Sequence, residues 1–180
     1  MNQIRVQYFK SKIGELILGS FDGSLCLLDF RYRRMRKAVD RRIKEGLKAE
    51  FIEQEDDITS RAKLQLDEYL NGERKIFDIP LMTVGTDFQK SVWTALTKIP
   101  YGETSTYLRL AGNINNEKAV RAVASANGAN SIGIIIPCHR IIGSDGGLVG
   151  YGGGLPVKKR LLKLERSKKA LSECDNLLLF

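Results

Sequence analysis

The sequence predicts an α+β protein: a small N-terminal domain of β-meander and helix, then a mostly helical C-terminal domain with a helix-turn-helix. Three observations lead there. Apolar runs joined by an Asp-Gly turn fill the first thirty residues. From Phe88 the texture changes to short helices broken at Pro, Gly and Asn. Near the end, "IIIPCHRIIGSDGG" sets the only histidine, His139, beside Cys138 and between two apolar runs.

The elements follow in order. "SKIGELILGS" and "SLCLLDF" read as strands joined at Phe21-Asp22-Gly23. A charged stretch from Met35 to Glu53 reads as a helix, and a second helix from Thr59 to Asn71 spaces Ala62, Leu66 and Tyr69 on one face, with Gly72 as its C-cap. "KIFDIPL" reads as a last strand of a domain spanning residues 1–84. "TVGTD" links it to a second domain, residues 85–170, with a tail at 171–180. There, "FQKSVWTALTKI" puts Phe88, Val92, Leu96 and Ile99 on one helical face before Pro100-Tyr101-Gly102 breaks it. Thr104 or Ser105 caps a helix through Ala111, stopped at Gly112-Asn113; Asn115 or Asn116 caps the next, "EKAVRAVASAN", which ends at Gly128. The isoleucines before Pro137 read as a buried strand, "GSDGGLVGYGGGL" as a pocket-lining loop, and Pro156 as the first residue of a last helix.

Composition bounds the function. Hydrophobic residues make up 43% of the 180, enough for a core. No apolar run reaches the ~18 residues of a membrane span and "MNQIRVQYFK" has no apolar signal core, so a cytoplasmic protein without a membrane partner is expected. Cys26, Cys138 and Cys174 are odd in number and widely spaced, which argues against a disulfide framework. One histidine and no close cysteine pair argue against a structural metal. The net charge of +8 is uneven: residues 1–85 carry 16 Lys+Arg against 14 Asp+Glu, residues 86–180 carry 13 against 7. A polyanion partner is therefore expected on the C-terminal half. The charged 31–57 stretch is a solvated helix or a partner surface.

Two features of the second half carry chemistry. The second helix of the helix-turn-helix is rich in alanine, with Ala119, Ala122, Ala124 and Ala126 around Arg121. Such a helix packs closely on a neighbour or approaches a DNA groove closely, and it has few side chains to read bases. Cys138 is either an inert buried thiol or a nucleophile that His139 activates, directly or through a water. Adjacent residues on a strand point to opposite faces, so a direct contact requires a turn. Glu165, on the last helix, is a candidate to orient the imidazole. From these residues alone a Cys-His hydrolase and a non-catalytic DNA-binding protein both stay open.

The blocks "IPYGETSTYLRLAGN", "KAVRAVASANGAN", "NSIGIIIPCHRIIGSDGGLVGYGGGL" and "KKRLLKLE" closely resemble the O6-alkylguanine-DNA alkyltransferase, or methylated-DNA–protein-cysteine methyltransferase, family. "IGELILG" and "LDEYLNGE" extend the resemblance more weakly into the first half. It implies an RNase H-like N-terminal domain and single-turnover repair of double-stranded DNA containing alkylated guanine, with little sequence specificity, by a monomer without cofactor or metal. Cys138 accepts the alkyl group, His139 is a water-mediated base, Glu165 polarises it, and Asn130 is a hinge. Tyr107 helps rotate the target nucleotide out of the stack, and Arg121 fills its place from the minor groove. Ala119, Val120, Ala122 and Arg140 join Tyr107 and Arg121 as DNA contacts. Pro137, Ser144, Tyr151 and Gly152 line the guanine pocket with Tyr107, and backbone groups near Cys138 and Ile141 read the base edge. Ser131 departs from the pattern, since the family often has proline after the hinge asparagine.

Overall fold

The computed structural model describes residues 1–166; Cys174 and the tail at 171–180 lie outside them. Contacts divide the chain into two units. One comprises Met1–Thr86 with Ser131–Gly133; the other comprises Asp87–Asn130 and the chain from Ile134 onward. The architecture is mixed α+β, with the sheet in the first unit and short helices in the second. Among the described residues no helix is long and apolar enough to cross a membrane.

In the first unit β1 (Asn2–Ser11), β2 (Gly14–Phe21) and β3 (Ser24–Phe30) form an antiparallel meander. Asp22 and Gly23 both take positive φ, 46° and 72°, the backbone a two-residue type I′ turn demands. "SKIGELILGS" begins at the last residue of β1, turns at Lys12 and Ile13, and becomes β2 at Gly14. α1 (Arg36–Leu47) buries Val39 and Ile43 and ends earlier than its charge pattern suggests. Lys48 adopts the left-handed conformation there, and Ala49–Glu53 becomes β4, parallel to β1. The expected helix over 35–53 is thereby corrected. Runs of Lys and Glu suit a helix, but the open edge of β1 offers unpaired backbone groups that a strand satisfies. The sheet order is β3-β2-β1-β4. Ile4, Val6, Ile17, Leu27, Val39, Ile43 and Ala49 pack together in its core.

α2 (Asp57–Leu70) starts with a reciprocal capping box between Asp56 and Thr59. Its C-cap is Asn71, and Gly72 follows at φ 74°. "KIFDIPL" is not a strand: beside β3 it makes a single bridge, Leu25 to Leu81. Pro80 carries no N–H, so a longer ladder has no donor there. Ser131–Gly133 also borders β3, where Leu28 N–H donates to Ser131 O (2.8 Å) and Gly133 N–H to Leu28 O (2.7 Å).

The second unit contains α3 (Asp87–Thr97), β5 (Ser105–Thr106), α4 (Tyr107–Asn113), α5 (Val120–Gly128), β6 (Ile141–Ile142) and α6 (Leu155–Arg166). α3 buries Val92, Trp93, Ala95 and Leu96, and the Trp93 indole donates to Ala126 O of α5 at 2.9 Å. The N-cap of α4 is Thr106, rather than Thr104 or Ser105, and its hydroxyl accepts from Arg109 N–H. Ser105 is instead committed to pairing β5 with β6. α4 runs through Gly112. Its end is a Schellman arrangement in which Asn115, at φ 55°, donates to Gly112 O and Asn116 to Ala111 O. A 3-10 turn at Glu117–Ala119 leads into α5. The isoleucines before Pro137 form a turn rather than a strand, with Ile134 at φ 70°.

Gly112 sits inside α4, and a Cβ added there would meet only the Glu117 side chain, 3.9 Å away. Gly112→Ala is therefore expected to stabilise by about 0.5–1 kcal/mol. Asn115→Gly is expected to add a similar amount by relieving the left-handed residue, roughly 0.5–1 kcal/mol. Urea midpoints at constant slope check both; destabilisation by Gly112→Ala would place the helix stop at Gly112 instead.

Candidate active site

The chain before the cysteine is held from two sides. Pro137 leads into a 3-10 turn, Cys138–Arg140. The Ile136 carbonyl accepts from Cys138 N–H and from the Asn130 side-chain amide, each at 2.8 Å. Asn130, itself buried, closes the 130–136 segment onto the start of the turn. Because the segment turns at Cys138–Arg140, the alternation of a strand does not force Cys138 and His139 to opposite faces. Cys138 is 8% exposed and His139 is fully buried.

Glu165 on α6 organises the polar groups. Its Oε1 accepts from His139 Nε2 (2.8 Å) and Arg140 Nη2 (2.9 Å); its Oε2 accepts from Arg140 Nε (2.9 Å) and Gly102 N–H (3.2 Å). Arg140 Nη1 donates to Ile99 O at 2.6 Å. Burial alone would raise the Glu165 carboxyl, but the hydrogen bonds from His139 and Arg140 and the Arg140 charge outweigh it and hold the group well below the usual carboxylate range. Burial pulls the His139 imidazole below its ordinary value against the opposing pull of Glu165. The imidazole is thus neutral at pH 7. Its Nε2 must carry the proton that Glu165 accepts, so Nδ1 holds the free lone pair. Nδ1 is buried and accepts no hydrogen bond from the described residues.

Other expected residues fall around this core. Tyr107 opens α4, and its hydroxyl is hydrogen-bonded by the buried Asn127 of α5. Burial first, and then the neighbouring Cys138, push its phenol above the ordinary range. The Tyr151 ring lies edge-on to His139, centroids 6.5 Å apart. Pro137 and Ile141 are buried, whereas Ser144 and Gly152 are exposed on the glycine-dense loop. Arg140 requires a correction. It is 8% exposed with its guanidinium committed to Glu165 and Ile99, so it is not presented as a DNA contact.

Arg121 does stand at the surface, near the start of α5. Ala122, Ser125 and Gly128 share its exposure, while Val123, Ala126 and Asn127 are buried. Ala119 and Val120 are half-buried. The outward face of α5 is one long cationic side chain on an otherwise smooth surface. Sequence reasoning missed Asn127 and the fully buried Lys158. The available signal for Lys158 was its register: with Leu161, Leu162 and Glu165 it forms the inward stripe of α6. Among the described residues no cluster of His, Cys, Asp and Glu could hold a metal ion.

Protons favour the unfolded chain at both buried groups. Glu165 is held below its ordinary 4.5 and His139 below its ordinary 6.5, so each binds protons more readily when unfolded. Their contribution to stability is complete above pH 6.5, declines as pH falls through 6.5, and declines further below 4.5. Glu165→Gln, which leaves Arg140 without its counter-charge, is expected to lose about 3–5 kcal/mol at pH 7. It should also flatten the acid limb of the stability curve; urea denaturation across the pH range measures both.

Comparison with known proteins matches both halves of the chain. The profile "6-O-methylguanine DNA methyltransferase, ribonuclease-like domain" covers residues 4–83, and "6-O-methylguanine DNA methyltransferase, DNA binding domain" covers residues 87–167. The methylated-DNA–protein-cysteine methyltransferase of Methanosarcina acetivorans is 45% identical over 159 residues, 88% of this chain and 96% of the relative. That of Haemophilus influenzae is 41% identical, over 92% of this chain and 88% of its own. The crystal structure of Mycobacterium tuberculosis OGT in complex with DNA superposes with a TM-score of 0.77 at 39% identity, covering 99% of both chains. With the buried Glu165–His139 pair beside Cys138 and this likeness over both units, the chain belongs to the methylated-DNA–protein-cysteine methyltransferase family.

Proposed function

We propose that this protein repairs DNA by direct reversal, moving the alkyl group of O6-alkylguanine onto Cys138 once and irreversibly. The observation that carries the reading is the fully buried His139, whose Nε2–H is fixed on Glu165 at 2.8 Å and whose Nδ1 is left free to take a proton. Cys138 gives its proton to Nδ1, directly or through one water, and Glu165 stabilises the imidazolium that forms. The thiolate attacks the alkyl carbon, the S–C bond forms, and the C–O6 bond breaks with its electron pair left on the base. Guanine regains a proton as it leaves, so the thiol's proton ends on the base. Tyr107, its phenol kept protonated by burial, relays that proton: it donates to the base and is reprotonated by the one His139 took from the thiol.

The target atom lies inside a duplex and must be brought out of the stack, at a cost of roughly a few kcal/mol. Arg121, on the smooth exposed face of α5, occupies the space the nucleotide leaves. Small residues beside it allow close approach without reading sequence. Asn130 holds the acceptor turn in place through Ile136.

A duplex carrying O6-methylguanine with a radiolabelled methyl group tests the reading. One label per chain should move to Cys138, and Cys138→Ser should take up none. Wild-type protein that stays unlabelled, or a labelled serine variant, would overturn it. Arg121→Ala is expected to slow repair of duplex by about tenfold or more, the loss of roughly 1.4 kcal/mol or more of extrusion energy. Reaction with free O6-benzylguanine should stay within about twofold, since no base need be extruded there. Equal losses on both substrates would count against the extrahelical role. Tyr107→Phe should be milder than Tyr107→Ala if the bulk of the ring drives rotation.

A further inference from the structure

The reaction just described makes no use of Lys158, although its side chain is fully buried on the inward stripe of α6. Its ammonium donates to three carbonyls: Ile141, Val149 at 2.6 Å and Gly150 at 3.4 Å. Ile141 directly follows the Cys138–Arg140 turn; Val149 and Gly150 directly precede Tyr151 and Gly152. One side chain therefore ties the acceptor turn to both ends of the loop 141–150.

A lysine this deep ordinarily meets a carboxylate, because an unpaired buried charge is costly. Among the described residues no carboxylate pairs with Lys158. Glu165, on the same helix, is saturated by His139, Arg140 and Gly102. Asp145, the acid of the loop, is exposed and accepts from Gly147 N–H. The other titratable groups of the site are Cys138, His139 and Arg140 on the turn, Tyr107 on α4, Tyr151 edge-on to His139 and Tyr101 beside Arg140. Of these, the group whose chemistry requires it to turn anionic at neutral pH is the Cys138 thiol. We propose that Lys158 is the counter-charge of the Cys138 thiolate and the clamp that fixes the 141–150 loop around it. It acts as a positioning residue, and the proposal rests on the reading of Cys138 as acceptor. Burial draws the ammonium down to about 8 while a charged Cys138 draws it back up.

The pH dependence of Cys138 modification by iodoacetamide, read by peptide mass spectrometry to separate it from Cys26 and Cys174, tests this without DNA. In Lys158→Gln, which keeps donors for the carbonyls but not the charge, the inflection should rise by about one pH unit or more, which slows modification at neutral pH about tenfold. Lys158→Arg, which keeps the charge, should hold the wild-type inflection. An unmoved inflection in Lys158→Gln would overturn the proposal. If that variant does not fold, a Lys158→Arg inflection displaced upward by a full unit would do so too. Label transfer from O6-methylguanine to wild-type Cys138 is measured alongside. Its failure removes the acceptor reading itself, whereas its success with an unmoved Lys158→Gln inflection removes only the counter-charge.

Discussion

The second unit is organised around a single buried carboxylate. Glu165 accepts four hydrogen bonds, from a histidine, twice from an arginine, and from a backbone amide. Those donors come from the Cys138–Arg140 turn and from Gly102 after α3, so α6 is fastened to both through two oxygen atoms. A buried ion pair of this kind adds little net stability compared with well-packed apolar groups, because desolvating the charges offsets their attraction. What it fixes is orientation. Arg140 keeps the carboxylate ionised, the carboxylate keeps the proton of His139 on Nε2, and the tautomer leaves Nδ1 with its lone pair.

The rest of the unit divides into rigid and permissive parts. Asn130, Ile136 and the 3-10 turn hold the thiol, and Lys158 holds the loop ends. Between those ends Gly143, Gly146 and Gly147 make a self-bonded turn, with Gly143 N–H donating to Gly147 O and Gly146 N–H to Gly143 O. The outward face of α5 is plain by comparison. It has charge at Arg121 and almost no directional hydrogen-bonding groups, the composition expected where shape and phosphate attraction matter more than base identity.

Much of this was legible in the sequence, and the losses have physical causes. Asp22-Gly23 announces its hairpin because few residues accept two positive φ values in succession. α3 and α2 follow from apolar spacing alone. β4 was hidden because Ala49–Glu53 continues a charged run, and nothing local reveals that β1 has an open edge to fill. The isoleucines before Pro137 have strand propensity, yet the backbone turns at Ile134, a choice made by tertiary contacts. In the site, Cys138, His139 and Glu165 stand out by residue type. Arg140 and Lys158 do not, because a buried cation and a solvated one are written with the same letter. Only the register of Lys158 with Leu161, Leu162 and Glu165 separates it from its exposed neighbours Lys159 and Arg160.

The tight seating of Cys138 has a further consequence. A thiol that takes up a methyl group becomes a larger thioether and loses its proton, at a position 8% exposed whose backbone is held by Ile136. Adding a carbon to a packed site costs about 1–3 kcal/mol. A used molecule would then differ from a fresh one in its packing as well as its chemistry, and would open more often for that reason. The protein's lifetime would be counted in lesions met rather than in hours elapsed.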